Sequence, residues 1–455
     1  LTPQTPLNTR AIDSAVADFI KGYNFTNSYP AIKQFLKREN TKLKNNIKID
    51  KNSSKNLIEI IKNMNNSYLV LQGPPGTGKT YTSSRIIVDL LRNNFKIAIV
   101  CHSHKAIINL VEAIDSYSSE IGYIFKGAYN PGSRKQDLDF KNIEVINTSK
   151  IDSKKYNLIA GTAWALSNKI HRQNSEKEKN FDYIFFDEAG QLSISKLIAS
   201  SMSSKNIIMI GDHMQLPQPT TGNLEGESTY SPIEYLLKEK NTISDHNGIF
   251  LDRTFRMHKN ICDFISKSFY ENRLISDETT QNQKVILENG KSIDNGIYLI
   301  DLNHADYSVQ NEEEAKYIKK IYDELILGNW LDREKKGSEI TTKDILVVSP
   351  FNAQVNLIKQ SLGENAMVGT IDNFQGQEAP IVIISYVSSN PNNIPRGSDF
   401  FFDYRRLNVS LSRAKCLAII ILNQELLDYH CNTIEDMERV NYFCKLKPFE
   451  KHFLE

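Results

Sequence analysis

The sequence predicts an α/β chain carrying parallel sheets in two tandem domains, on three observations. Short apolar, β-branched runs recur at 68–72, 97–101, 183–187, 206–211, 345–349, 381–387 and 417–422. Most lack in/out alternation, the pattern of strands covered on both faces of a parallel sheet. Amphipathic stretches of helix length lie between them, at 81–92, 106–114 and 312–326. Strand and helix in alternation mean right-handed crossovers. Finally, the runs form two groups, one ending near Gly211 and one starting near Gly296, with the polar segment 241–248 (NTISDHNG) as a hinge.

Taken in order, 1–48 is a helical segment rich in cations (Lys33, Lys37, Arg38, Lys42, Lys44, Lys48), either a solvated face or an arm along a phosphate backbone. The expected domains are 49–244 and 245–445, followed by a tail at 446–455. An internal echo supports duplication: IVCHSHKAI (99–107) and VVSPFNAQV (347–355) each run from strand through a polar turn into helix, and Gly161-Thr162 and Gly369-Thr370 each follow a short apolar run. Loops at 220–232 and 388–406 interrupt the pattern.

Composition fits this architecture. The 455 residues are 40% hydrophobic and 24% charged, and the mean hydropathy of -0.41 is that of a water-soluble globular chain rather than a disordered or fibrous one. Such a length buries about three quarters of its unfolded surface and needs no staples. The five cysteines (Cys101, Cys262, Cys416, Cys431, Cys444) are scattered without a C-x-x-C pair, which favours a reducing cytoplasm over a disulfide framework. No apolar run approaches the ~20 residues of a membrane span. A net charge of +1 points to no polyanion by itself, so any basic surface must be local. The start at Leu1, without Met or a signal pattern, suggests a piece of a longer protein.

The sharpest motif is the apolar run 68–72 feeding Gly73-Pro74-Pro75-Gly76-Thr77-Gly78-Lys79-Thr80 and then a helical pattern. This is the G-x-x-x-x-G-K-T phosphate loop in its required strand-to-helix setting. Its glycines let backbone N–H groups curl around a phosphate, Lys79 reaches the outer phosphates, and the Thr80 hydroxyl suits Mg²⁺. A second buried run ends in Asp187-Glu188. At a strand's carboxyl end, Asp187 can hold the magnesium while Glu188 orients and deprotonates a water. Together the two motifs indicate hydrolysis of a nucleoside triphosphate.

Further along come IIMIGDHMQLP (207–217, with Gln215), LDRTFRMH (251–258), VGTIDNFQGQE (368–378) and RLNVSLSRAK (406–415). In this order the set resembles the motifs of superfamily 1 helicases, in the 1B branch that includes the up-frameshift RNA helicases and their DNA relatives. The resemblance covers roughly 49–422, which is most of the chain. SHKAI (103–107), GTAWALS (161–167), GDHMQLPQP (211–219) and GES (226–228) are further similar to a bacterial family in which a RecB-like nuclease module precedes such a helicase. The resemblance implies two tandem RecA-like P-loop domains and ATP with Mg²⁺ as cofactors, other NTPs remaining open. It implies that Gln215 senses the γ-phosphate, that Arg256 and Arg413 contact it, and that Gly376 and Glu378 belong to the nucleotide site with Glu378 on the ribose. A planar guanidinium suits neutralisation of phosphoryl oxygens. Phe255 stands where relatives stack an aromatic on the base, core packing being the alternative. Ser53 and Ser54 stand where relatives carry an adenine-binding Gln, which puts strict ATP preference in question.

For nucleic acid, the resemblance implies contacts from Ser103, His104, Thr162, Ser349, Asn352 and Thr370. Trp164 and Phe351 stack bases or else pack in the core. The expectation is a monomeric motor moving 5′ to 3′ on a single strand, DNA favoured over RNA, with no membrane partner and a nuclease module elsewhere in the parent chain. The alternatives are a remodeller that displaces proteins without unwinding, and a ring-forming P-loop ATPase, against which the in-chain Arg413 motif argues. Little chain separates Leu110 from Asn157, so any accessory domain there is small.

Overall fold

The computed structural model describes residues 9–24, 28–45, 54–132, 138–146, 151–152, 154–167, 179–217, 226–374, 376–451 and 453. Ser53, Lys48 and Gln375 lie outside them. The chain divides into two compact units: one holds the described residues up to Leu251, except that Pro74–Thr77 and Met214–Leu216 group with the other, which continues from Asp252.

In the first unit, β1 (Tyr68–Gln72), β2 (Ile97–Cys101), β3 (Gly127–Tyr129), β4 (Ile143–Val145), β5 (Leu158–Thr162), β6 (Phe181–Asp187), β7 (Ser204–Gly211) and β8 (Gly248–Phe250) form one sheet in the order β4-β3-β5-β2-β6-β7-β1-β8. Every pairing is parallel. The uniform apolar runs behave as expected of two-sided burial: every residue of β1 and β2 is buried. Helices Lys79–Arg92 and His104–Glu120 bury Leu90, Ile107 and Leu110 in one cluster with Leu69, Leu71 and Ile99. Polar groups between elements are matched, as by Tyr183 Oη donating to Ile61 O (2.9 Å) and Ser67 N–H to Asn206 Oδ1 (3.1 Å). The cation-rich segment is partly packed: helix Pro30–Leu36 buries Ile32 and Phe35, and the Arg38 guanidinium lies 3.7 Å over the Tyr235 ring.

The second unit contains β9 (Arg253–Thr254) paired with β10 (Ile275–Ser276), and a small antiparallel sheet of β11 (Lys284–Ile286), β13 (Asn329–Leu331) and β14 (Gly337–Glu339). Its main sheet is parallel, of β12 (Gly296–Asp301), β15 (Ile345–Val348), β16 (Met367–Gly369), β17 (Ala379–Ser385) and β18 (Ala414–Leu422), in the order β12-β18-β17-β15-β16. The sequence echo is physical. In one unit β2 runs through Ser103 into helix His104–Glu120 beside β5, which ends at Thr162; in the other β15 runs through Ser349 into helix Asn352–Leu362 beside β16, which Thr370 follows.

Chain division differs from the sequence expectation of a boundary at 244/245. The first unit runs on to Leu251 because Gly248–Phe250 adds to its sheet beside β1. A Cβ on Gly248 would lie 2.4 Å from Val70 O, so only glycine seats this edge strand. We expect Gly248→Val to lower stability by about 1–3 kcal/mol, seen as an earlier transition in urea followed by circular dichroism; an unchanged midpoint would show that β8 is not tightly seated.

Candidate functional site

Strand order builds the site. The carboxyl ends of β5, β2, β6, β7 and β1 lie consecutively along one edge of the first sheet. Cys101 pairs in register with Asp187, Gln72 pairs with Gly211, and Gly73 N–H donates to Gly211 O at 3.0 Å. The phosphate loop and the two acids therefore share that edge. Gly78 adopts φ 75° and opens helix Lys79–Arg92, whose first turn carries Thr80. The Lys79 ammonium donates to Gly73 O at 2.6 Å, and Thr77 Oγ1 to Pro74 O at 2.8 Å.

Asp187 is only 6% exposed. Burial, and then the neighbouring Glu188 charge, push its carboxyl up to about 7, against the pull of the Glu188 N–H (3.0 Å to Oδ1) and of Lys79. Glu188 holds φ 55°, a left-handed conformation costly for a side chain of its size. Gly190 follows because its Cα meets the end of β7: an added Cβ would be 2.5 Å from Asp212 O. A buried carboxylate that resists ionisation, on the same edge as a hydroxyl at the start of a helix, fits a hard dication; Thr80 and Asp187 are oxygen donors of the kind Mg²⁺ prefers. Among the described residues no three His, Cys, Asp or Glu side chains form a metal cluster of their own, so phosphate oxygens and water must complete such a site.

Beside β6, the ends of β2 and β5 bring together the nucleic-acid candidates of this unit. Ser103 is exposed and accepts from Ala106 N–H (3.2 Å) as a helix cap, while His104 Nδ1 meets Tyr129 Oη at 2.8 Å. Thr162 ends β5, and Trp164 is half-buried with the Lys196 ammonium 4.8 Å over its ring. Lys196 escaped the sequence reading, since it stands in no recognisable motif. Burial lowers its pKa, and burial together with the Lys196 charge lowers that of His102.

In the second unit the expected residues separate to the two ends of the sheet. Ahead of β17 and β18, the Arg256 Nε donates to Glu378 Oε2 (2.5 Å) and its Nη1 to Ser412 O (3.0 Å), while Arg413, 5% exposed, donates to Gln377 O (3.2 Å). Lys415 also pairs with Glu378 at 3.1 Å. Burial alone would raise the Glu378 carboxyl, but Arg256 and Lys415 hold it below its ordinary range. Gly376, at φ 82°, precedes this cluster. Phe255 is 43% exposed, so the packing alternative fails for it. Gln215 is half-buried in the short segment Met214–Leu216.

At the carboxyl ends stand Ser349, Phe351, Asn352 and Thr370. Asn352 is exposed and Thr370 half-buried, its Oγ1 bonded to Asn373 Oδ1 (2.9 Å). Ser349 is fully buried, and Phe351 is 6% exposed beneath Phe400 and Phe401. Packing is thus what Phe351 does, and the base contact expected of it is corrected.

The Asp187 shift has a testable sign. A folded-state pKa above the unfolded value makes folding favour the protonated acid, so stability is lost as pH rises from about 4 through about 7. Asp187→Asn removes that loss. Without nucleotide or Mg²⁺, it should raise Tm at pH 8 and change it little at pH 4.5 by differential scanning fluorimetry; an equal shift at both would show that the carboxylate is not the source.

Two AAA domain families match the chain, AAA_19 over residues 57–221 and AAA_12 over residues 229–425. Similar curated proteins include the DNA polymerase alpha-associated DNA helicase A of Schizosaccharomyces pombe, 26% identical over 404 residues that cover 76% of this chain and 59% of that protein. The DNA replication ATP-dependent helicase/nuclease DNA2 of Gallus gallus is 28% identical, with 79% of this chain and 35% of that protein covered. Helicase sen1 of Schizosaccharomyces pombe is 29% identical, with 58% and 16% covered. The chain thus spans between 16% and 59% of these relatives' lengths. With AAA domains matched in both halves and helicases as its relatives, the chain carries the domains of an NTP hydrolase and is similar to helicases of superfamily 1B.

Proposed function

We propose that this chain is the motor part of an ATP-dependent helicase that moves 5′ to 3′ on single-stranded nucleic acid, DNA in preference to RNA. The observation that carries this reading is the shared edge of the first sheet. The phosphate loop and Asp187-Glu188 occupy the ends of β1 and β6, and the polar groups suited to a strand's backbone occupy the ends of the adjoining β2 and β5. A change at Asp187-Glu188 therefore has one strand spacing to travel to the end of β2, ahead of Ser103, and two to Thr162 at the end of β5.

In this reading Lys79 grips the outer phosphates and Thr80 and Asp187 would hold Mg²⁺, which supplies neutralising charge when bound. Glu188 takes the proton of the attacking water. Gln215 senses the γ-phosphate, and Arg256 and Arg413 stabilise charge on the transferring group. Arg256 and Glu378 pair with each other here, so taking up phosphate and ribose requires that pair to open. The pairing of helicase with nuclease in DNA2 supports a nuclease module in the parent protein. It also favours DNA as the track; a monomeric motor acting in the cytoplasm is proposed from the sequence alone.

One observation favours the second reading, a remodeller that displaces proteins without unwinding. Among the described residues, β3 and β4 extend the main sheet rather than forming an accessory barrel beside it. Paired strand-displacement and streptavidin-displacement assays separate the two.

ATP turnover should rise on adding single-stranded DNA, and more than with RNA of the same sequence; equal rates with and without any strand would remove the coupling. Arg413→Ala should lower kcat on the order of 10³-fold, and an undiminished rate would take the arginine out of the chemistry.

A further inference from the structure

The carboxyl end of the second sheet carries a cation–aromatic stack centred on Arg396 and Phe400, two residues that stand in none of the helicase motifs. The Arg396 guanidinium carbon lies 3.6 Å from the centre of the Phe400 ring, and that of Arg406 4.7 Å from it. The ring is half-buried and rests on Phe351 at a centroid distance of 5.9 Å. Phe351 is the cap residue of helix Asn352–Leu362, so the stack stands directly beside Asn352. A second tie runs through Arg406, which pairs with Asp372 (3.1 Å), two residues past Thr370, and with Asp403 (3.5 Å).

The two arginines are differently employed. Arg406 spends its charge on Asp372 and Asp403. Arg396 is exposed, and among the described residues no carboxylate lies within ion-pair distance of it. Its position is built: Arg396 and Gly397 both hold positive φ (67° and 84°), Gly397 N–H donates to Ile394 O (3.3 Å), and Ser398 Oγ donates to Asp436 Oδ1 (2.6 Å). A long side chain with a planar, weakly hydrated guanidinium is thus held against an aromatic face instead of roaming in water.

We propose that Arg396, backed by Phe400, is a nucleic-acid contact of the second unit: the guanidinium gives a phosphate its hydrogen bonds and gives a base of the same single strand a flat face to stack on. Guanidinium planes and aromatic rings both serve as base platforms, and Arg is the preferred cation at phosphate. The site takes the part assigned from sequence to Phe351, which lies underneath. The inference rests on the helicase reading and names a residue of its strand-binding surface.

The test is fluorescence anisotropy of a labelled oligo(dT) and of an abasic strand of equal length, across a salt series, on the full chain. Arg396→Ala should weaken oligo(dT) binding roughly ten-fold and lower the salt slope by about 1. Arg396→Lys should keep the slope, bind the abasic strand as the parent does, and lose affinity for oligo(dT). Phe400→Leu, which keeps an apolar packing group, should lose affinity for oligo(dT) alone. Circular dichroism and Tm matching the parent for Arg396→Ala, an exposed position, separate contact from folding. Parent-like affinity and slope for Arg396→Ala overturn the inference while leaving the helicase reading intact. A parent chain that binds neither strand overturns the helicase reading and this inference with it.

Discussion

A parallel sheet delivers all its carboxyl ends to one edge, and the rest of this molecule is arranged around what that does to Asp187. β6 is central in the first sheet and buried along nearly its whole length, so its last side chain arrives in a place where a charge is poorly solvated. The carboxylate is tolerated because β1, two strands away, ends in the phosphate loop with an ammonium at Lys79, and because the adjoining β7 ends against a glycine-lined turn that packs backbone against backbone. Remove the strand order and each motif remains in the sequence while the cation site disappears.

In the second unit the same topology is used differently. Arg256, Glu378 and Arg413 gather where β17 and β18 begin, whereas Asn352, Thr370 and the Arg396–Phe400 stack stand where β15 and β16 end. Two segments cross between these edges: Thr370–Glu378, which carries contact residues at both its ends, and helix Tyr404–Leu411, which starts near the stack and delivers Ser412 and Arg413 to the other side. Neither segment is long enough to be a loose linker.

Legibility followed locality. The phosphate loop and the acid pair could be found from sequence because each is one contiguous segment whose strand announces itself by an apolar run. β3, β4, β8 and β16 are too short to do so, with three residues each. The run at 381–387 overshoots: the strand stops at Ser385 because Val387 takes φ 73° and gives its N–H to the buried Glu314 carboxylate (3.0 Å), a partner far off in sequence. Ser349 and Phe351 occupy the positions that pattern suggested but are covered by their neighbours. Lys196 and Arg396 gain meaning only from rings brought beside them by the fold, Trp164 and Phe400, and no spacing rule encodes that.

Helix Tyr404–Leu411 carries Arg406 near one end and hands over directly to Ser412, whose carbonyl holds Arg256. About two turns of hydrogen-bonded backbone are therefore all that separates the ring stack from the carbonyl that holds Arg256. The two edges of this unit are joined through one short piece of main chain rather than through a relay of side chains.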